Sequence, residues 1–303
     1  MKINLYINCL FISIVILTSG CHSSSNKKNI YDWNNGSVVI MADSNLKNIL
    51  EPLIPIYENF YPKASVQFQY TTEDDALKGF LNNKYTIVAM EKQFTDAETQ
   101  QATQVQDAKI MENIFAYDAI AVIANKSFKD SVFTVEKMND FLQPSSPIKL
   151  VFDNTKSGIA KKLLQLSAIP ADVFKNAYSL NSITEVLKYI STNTNAIGFI
   201  PYNILSDRNE EEAKKIRNGF KFLSVSYKNK TTALSQENIA TQTYPLIRPV
   251  VLYIGNCPDY VGQGFANFLF SRQVSKALLL NGLIPKSIPV REVQVTESFN
   301  PSK

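Results

Sequence analysis

From Gly36 onward, short apolar runs alternate with segments whose apolar residues recur at helical spacing. GSVVIMA, residues 36–42, predicts a strand. The next segment, DSNLKNILEPLIPIYENFYP, places Leu46, Ile49, Leu50, Leu53, Ile54 and Tyr57 at helical spacing, with Asp43 or Ser44 as its N-cap. Pro52 and Pro55 predict a kink or a break in that helix. ASVQFQY then alternates as a strand, TTEDDALKGFLNN reads as a capped helix, and YTIVAM is a third strand. Strand and helix in this order predict a parallel sheet with right-handed crossovers.

EKQFTDAETQQATQVQ predicts a helix starting at Thr95 or Asp96, and IFAYDAIAVIANK a long, nearly continuous apolar strand. The same grammar continues through VEKMNDFL, PIKLVFD, KSGIAKKLLQL, ITEVLKYISTN and AIGFIPYNIL. Two α/β lobes account for this more economically than one very large sheet. DRNEEEAKKIRNG reads as a solvated surface segment. YPLIRPVVLYIG predicts a strand, VGQGFANFLFSRQVSKALLLNG a helix and SIPVREVQV a last strand. No short repeat of fixed period occurs, which argues against a solenoid or a propeller.

The N-terminus has a different pattern. MKINLYINCLFISIVILTSGC carries one lysine and then an apolar run from Leu10 to Leu17, too short to cross a bilayer, and reads as a secretory signal. Its end, Leu17-Thr18-Ser19-Gly20-Cys21, resembles the lipobox of bacterial lipoproteins, with Thr18 where Leu is usual. That resemblance implies a signal peptide over 1–20, lipidation of Cys21 and a periplasmic-side envelope location. HSSSNKKN then falls within a polar tether over 21–35.

Composition narrows the chemistry. A net charge of +4 with well-mixed signs gives no basic patch for nucleic acid. Of three cysteines, Cys9 lies in the signal and Cys21 is the lipidation candidate, so Cys257 has no partner for a disulfide and a packed core must supply stability. The single histidine, His22, lies in the tether, so imidazole triads and histidine metal sites are excluded from the domain. No P-loop and no G-x-S-x-G occurs, and no two carboxylates are singled out as a glycosidase pair. The expectation is a monomeric, non-enzymatic protein with no cofactor and no metal.

Four stretches carry a resemblance to a known family: GSVVIMADSNLKNIL, YDAIAVIANK, NAIGFIPYN, and TYPLIRPVVLYIG followed by FANFLFSRQVSKALLLNGLIP. In this order they resemble the type II periplasmic binding proteins, and among them the phosphate-binding proteins of phosphate ABC transporters. The resemblance implies a two-lobed α/β fold, each lobe a mixed, mostly parallel sheet flanked by helices, with a ligand cleft between them. Lobe I would comprise 36–117 and 246–303, and lobe II 118–245, with hinges at Tyr117, Asp118, Tyr244 and Pro245. The implied role is capture of phosphate or a related small oxyanion for an ABC permease. The alternative is a divergent member that binds another small ligand or an envelope protein, in sensing or scaffolding without transport.

Strand ends feeding helix N-termini offer unpaired N–H groups and partial positive charge, which suit a small anion. The candidate ligand residues are Asp43, Ser44, Thr71, Thr72, Glu91, Lys92, Thr155, Lys156, Ser157 and Gly158. Lys92, Lys156 and Arg248 are expected near strand ends that face the cleft, with Asp43, Glu73, Asp74, Glu91, Asp118 and Asp153 in comparable places; the plainer readings are Asp43, Ser44 and Ser157 as helix caps, the lysines as solvated charges, and Arg248 as a structural partner of an acid across the hinge. The family carries an Arg four residues before the Ser-Gly-Thr of this helix start; here that position is Asp153, and Ile159 replaces Thr. Its first-lobe Asp aligns with Thr86. A carboxylate in place of a bidentate guanidinium would repel phosphate, so a mixed or acidic pocket is expected, suited to an amine or an organic phosphate.

Overall fold

The computed structural model describes residues 32–154, 157–170, 173–206, 210–257 and 260–287. The signal over 1–20, Cys21, most of the tether and the strand expected in SIPVREVQV beyond Ser287 lie outside the described residues.

Strand β1 (Asn35–Asp43) runs parallel to β2 (Lys63–Thr71) on one side and β3 (Ile87–Met90) on the other. Between β1 and β2 a 3-10 turn, Ser44–Leu46, leads into α1 (Lys47–Leu50) and α2 (Leu53–Phe60). The break between these helices falls at Glu51 and Pro52, because proline has no N–H to continue the ladder. Helix α3 (Glu73–Leu81) joins β2 to β3, and α4 (Asp96–Gln106), with a complete capping box at Thr95 and Glu98, leads to β4 (Met111–Asn125).

The fifteen-residue β4 belongs to both lobes. Its first part pairs antiparallel with β12 (Ile247–Ile254), Arg248 lying opposite Asp118; its second part, Ile120–Ala124, pairs with β8 (Ala196–Pro201). Beyond β8 come β6 (Lys149–Phe152) and β7 (Tyr178–Ser179), both parallel, giving the order β2-β1-β3-β12-β4-β8-β6-β7. β9 (Phe220–Phe222) also pairs antiparallel with the second part of β4, and a separate three-stranded sheet joins β5 (Val132–Thr134), β10 (Ser224–Tyr227) and β11 (Lys230–Thr232).

Helices cover these sheets: α5 (Met138–Phe141), α6 (Gly158–Ser167), α7 (Ile183–Thr192), α8 (Asn203–Ser206), α9 (Glu211–Gly219), α10 (Gln236–Ala240), α11 (Tyr260–Phe268) and α12 (Arg272–Leu280). Core packing divides along β4. Ile40, Leu50, Phe115 and Phe265 share one apolar cluster, while Ile120, Phe152, Phe199 and Leu163 share another.

One expectation changes, and two segments take a form the pattern did not specify. The segment expected as one helix over 261–282 is two, because Ser271 caps α12 by accepting from the Val274 N–H and restarts the helix. The charged run expected as a solvated surface segment is a surface helix, α9, mostly exposed or half-buried around the buried Ala213. The short strands β5, β10 and β11 escape the pattern, because three or four residues are too few to show a period.

Candidate functional site

In both halves of the sheet the parallel strands point their C-terminal ends toward the junction. β1 ends at Asp43, β3 runs into Glu91, β6 runs into Asp153, and the end of β8 leads to Asn203. This is where an open α/β sheet places a ligand site. Asp43, Glu73, Glu91, Asp118 and Asp153 are all buried here, with the guanidinium of Arg248, only 1% exposed, among them.

Arg248 holds the centre. Its Nη1 lies 2.5 Å from Glu91 Oε2, and its Nη2 donates to Asp118 Oδ2 at 3.3 Å. The Nη1 contact lacks hydrogen-bond geometry, so Nη1 and Nε of Arg248 and both Glu91 oxygens have charge partners but no hydrogen bond. Asn203 Nδ2 donates to Asp118 Oδ2 at 3.0 Å, so this one oxygen accepts from both Asn203 and Arg248. Burial pushes Glu91 well above the usual carboxylate range, Arg248 opposing, and raises Asp118 as well. Glu91 and Asp118 also face each other, a contact that becomes a hydrogen bond when one of them holds a proton. Burial would depress Arg248, but Glu91 and Asp118 outweigh it and keep the guanidinium charged.

Two acids remain without a cation of their own among the described residues. Asp43 accepts from the Asn45 N–H at 3.2 Å, leaving Oδ2 unpaired, and burial with Glu73 and Asp153 nearby raises it to about 6. Asp153 is raised by burial, against a hydrogen bond from Ser157, and its Oδ1 is unpaired.

The lobes meet at α6. Ser157 caps this helix, accepting from the Ala160 N–H at 3.3 Å, and its first turn holds no acid. Glu73 of the other lobe supplies one. Glu73 Oε2 lies 2.5 Å from where a Cβ on Gly158 would stand, so only glycine allows this approach. Lys161 Nζ bonds Glu73 Oε1 at 3.3 Å and makes a shorter contact with Asp74, crossing the cleft. Burial would lower Lys161, but Asp74 and Glu73 outweigh it. A cavity of 360 Å³ flanks this contact, lined by Glu73, Lys92, Gly158, Lys162 and Arg248, and a separate one of 680 Å³ is lined by Ser44, Lys47, Thr184 and Asn203.

The candidate ligand residues scatter accordingly. Asp43, Glu91, Ser157 and Gly158 converge at the junction; Ser44 lies on the larger cavity and Lys92 on the smaller, where Lys92 pairs with Glu98 at 2.8 Å. Thr72 caps its own helix and donates to Asp75, and Thr71 faces a different cavity beside Asp75 and Lys78. Thr155 and Lys156 lie outside the described residues. Tyr117 and Asp118 lie on β4, and the buried Tyr244 donates to Ile120 O at 2.8 Å, with Pro245 next in the chain. Thr86 does not occupy the cleft. It precedes β3, about 16 Å of strand from Glu91, at the opposite end of the sheet. The acid at the cleft end is Glu91, and Glu73 and Arg248 join it there; both were expected among the charges near strand ends that face the cleft.

Residues 30–273 match the family described as a PBP superfamily domain. The chain belongs to the PBP superfamily. No match is found among curated proteins. Among solved structures, this PBP superfamily member is similar to one described as a phosphate ABC transporter substrate-binding protein with bound phosphate from Clostridium perfringens, at 17% identity and TM-score 0.66, over 83% of this chain and 100% of that one. It is similar to an ABC-type phosphate transport receptor from Vibrio cholerae, at 20% identity and TM-score 0.63, over 82% and 99%. A hydrogen-peroxide-bound OxyR variant from Corynebacterium glutamicum also matches, at 13% identity and TM-score 0.55, over 82% and 67%. The fold is thus the two-lobed type II fold, and at such identities the likeness shows the fold alone.

Proposed function

We propose that this chain is a solute-binding protein of the bacterial cell envelope, tethered through lipid on Cys21, whose lobes (36–117 with 246–303, and 118–245) close on a small polar ligand. Phosphate or a related oxyanion, passed to an ABC permease, is the ligand suggested by the likeness to phosphate receptors. The charge count turns the reading elsewhere. Five buried carboxylates surround one buried guanidinium and Lys161, and even with a proton held on Glu91 a compact dianion there would meet more repulsion than attraction. The cleft therefore suits a ligand with a protonated nitrogen better than free phosphate. The site residues in this reading are Asp43, Glu73, Glu91, Asp153, Ser157, Gly158 and Arg248, with Tyr117, Asp118, Tyr244 and Pro245 at the hinge.

A second reading, an envelope sensing or scaffolding protein without transport, is favoured by the direct contact of the lobes through Glu73, Gly158 and Lys161. Small-angle scattering of the full chain in detergent, with phosphate, sulfate, lysine and putrescine in turn, separates the two. A saturable change in radius of gyration with one solute supports capture; an unchanged radius with all four moves the weight to the second reading. Replacing Cys21 by Ala should move the protein from the detergent phase to the aqueous phase, and retention in detergent would remove the anchor from the proposal.

A further inference from the structure

Helix α6 opens toward the cleft capped by Ser157 and with no acid in its first turn, while Lys161 projects from that helix and Arg248 lies behind it. A helix start with two cations is an anion site by elementary electrostatics. It is already filled. The carboxylate of Glu73, 3% exposed, reaches across from the N-terminus of α3, bonds Lys161 and packs against Gly158, with Oε2 lacking any hydrogen-bond partner. We propose that Glu73 is the chain's own occupant of this anion subsite, an internal carboxylate that latches the lobes and excludes inorganic oxyanions.

Two further features agree. The first turn of α3 carries Glu73, Asp74 and Asp75, so that helix start is answered by its own acids and Glu73 can lean outward. Gly158 has no side chain, and any Cβ would displace the Glu73 carboxylate. A solute that reaches the subsite must first displace Glu73, which makes this residue a determinant of specificity. The inference deepens the solute-binding reading and rests on it for the premise that the lobes can open.

The test is phosphate binding by calorimetry to the full chain in detergent, for the wild type, Glu73→Ala, and Glu73→Ala with Asp153→Asn, which also removes the acid behind the helix. Phosphate should bind the Glu73→Ala chain at least about tenfold more tightly than the wild type, and the double variant more tightly still. Adding Arg248→Met should abolish the gain. A folded Glu73→Ala chain, judged by circular dichroism, that gains no phosphate affinity overturns the proposal, as does wild-type affinity equal to that of the variant. If Glu73→Ala fails to fold, Glu73→Gln, which keeps the shape and removes the charge, should still gain about threefold, and no gain there overturns the proposal too. A wild type that responds to another solute while these variants gain nothing would leave solute capture standing and remove only the role of Glu73.

Discussion

Arg248 and Glu91 form an ion pair shut off from solvent, Nη1 to Oε2 at 2.5 Å, with side-chain exposures of 1% and 0%. Asp118 shares the same guanidinium, so removing it strands two carboxylates at once. Arg248→Met should destabilise the chain by about 3 to 5 kcal/mol, the cost of an uncompensated buried charge rather than of a lost attraction. Urea unfolding measures it; a loss below about 1 kcal/mol would mean both acids take up protons without penalty.

Lys161 should behave differently. It crosses from α6 to Glu73 and Asp74, but its side chain is 33% exposed, so solvent screens much of the attraction. Lys161→Met should cost no more than about 1 kcal/mol in stability. Its larger effect should be on shape: scattering should give a greater radius of gyration than the wild type, a difference that raised salt reduces. An unchanged radius would show that the lobes close without this contact.

Asp43 gives the stability a sign with pH. Its folded value, about 6, is above the ordinary 3.8 because burial and then Glu73 disfavour its charge. Below about pH 4 it is protonated folded or unfolded and contributes nothing. Between 3.8 and about 6 the folded chain holds a proton that the unfolded chain has lost, so stability falls as pH rises, by roughly 3 kcal/mol in all. Asp153, Asp118 and Glu91 are raised and act in the same direction. Asp43→Asn should be more stable than the wild type at pH 7 and should flatten the decline between pH 4 and 6, as read from thermal midpoints. A parallel decline in both proteins would place the titration elsewhere.

Much of this was legible in the sequence. Hydrophobic period placed β1, β2, β3, β4 and the helices between them, and the caps at Thr72, Thr95 and Ser157 fell where hydroxyl residues precede apolar periodicity. Arg248 was foreseen as a structural partner of an acid across the hinge, which its pairing with Asp118 and Glu91 now describes. What escaped depended on position along strands and on distance between lobes. Thr86 and Glu91 are five residues apart on one strand path, yet only one lies at the cleft. Nothing local marks Glu73 off from Asp74 and Asp75; its burial follows from α6 approaching through Gly158, a contact eighty-five residues away in the chain.

Equilibrium dialysis of labelled inorganic phosphate against the wild-type full chain at pH 7.5 tests most directly the claim that the cleft is acidic and self-occupied. The expected result is no retention of label at phosphate concentrations up to about 1 mM, because Glu73 holds the anion subsite and Asp43 and Asp153 repel a dianion. Saturable retention at micromolar phosphate would contradict it and return the chain to the phosphate receptors it resembles.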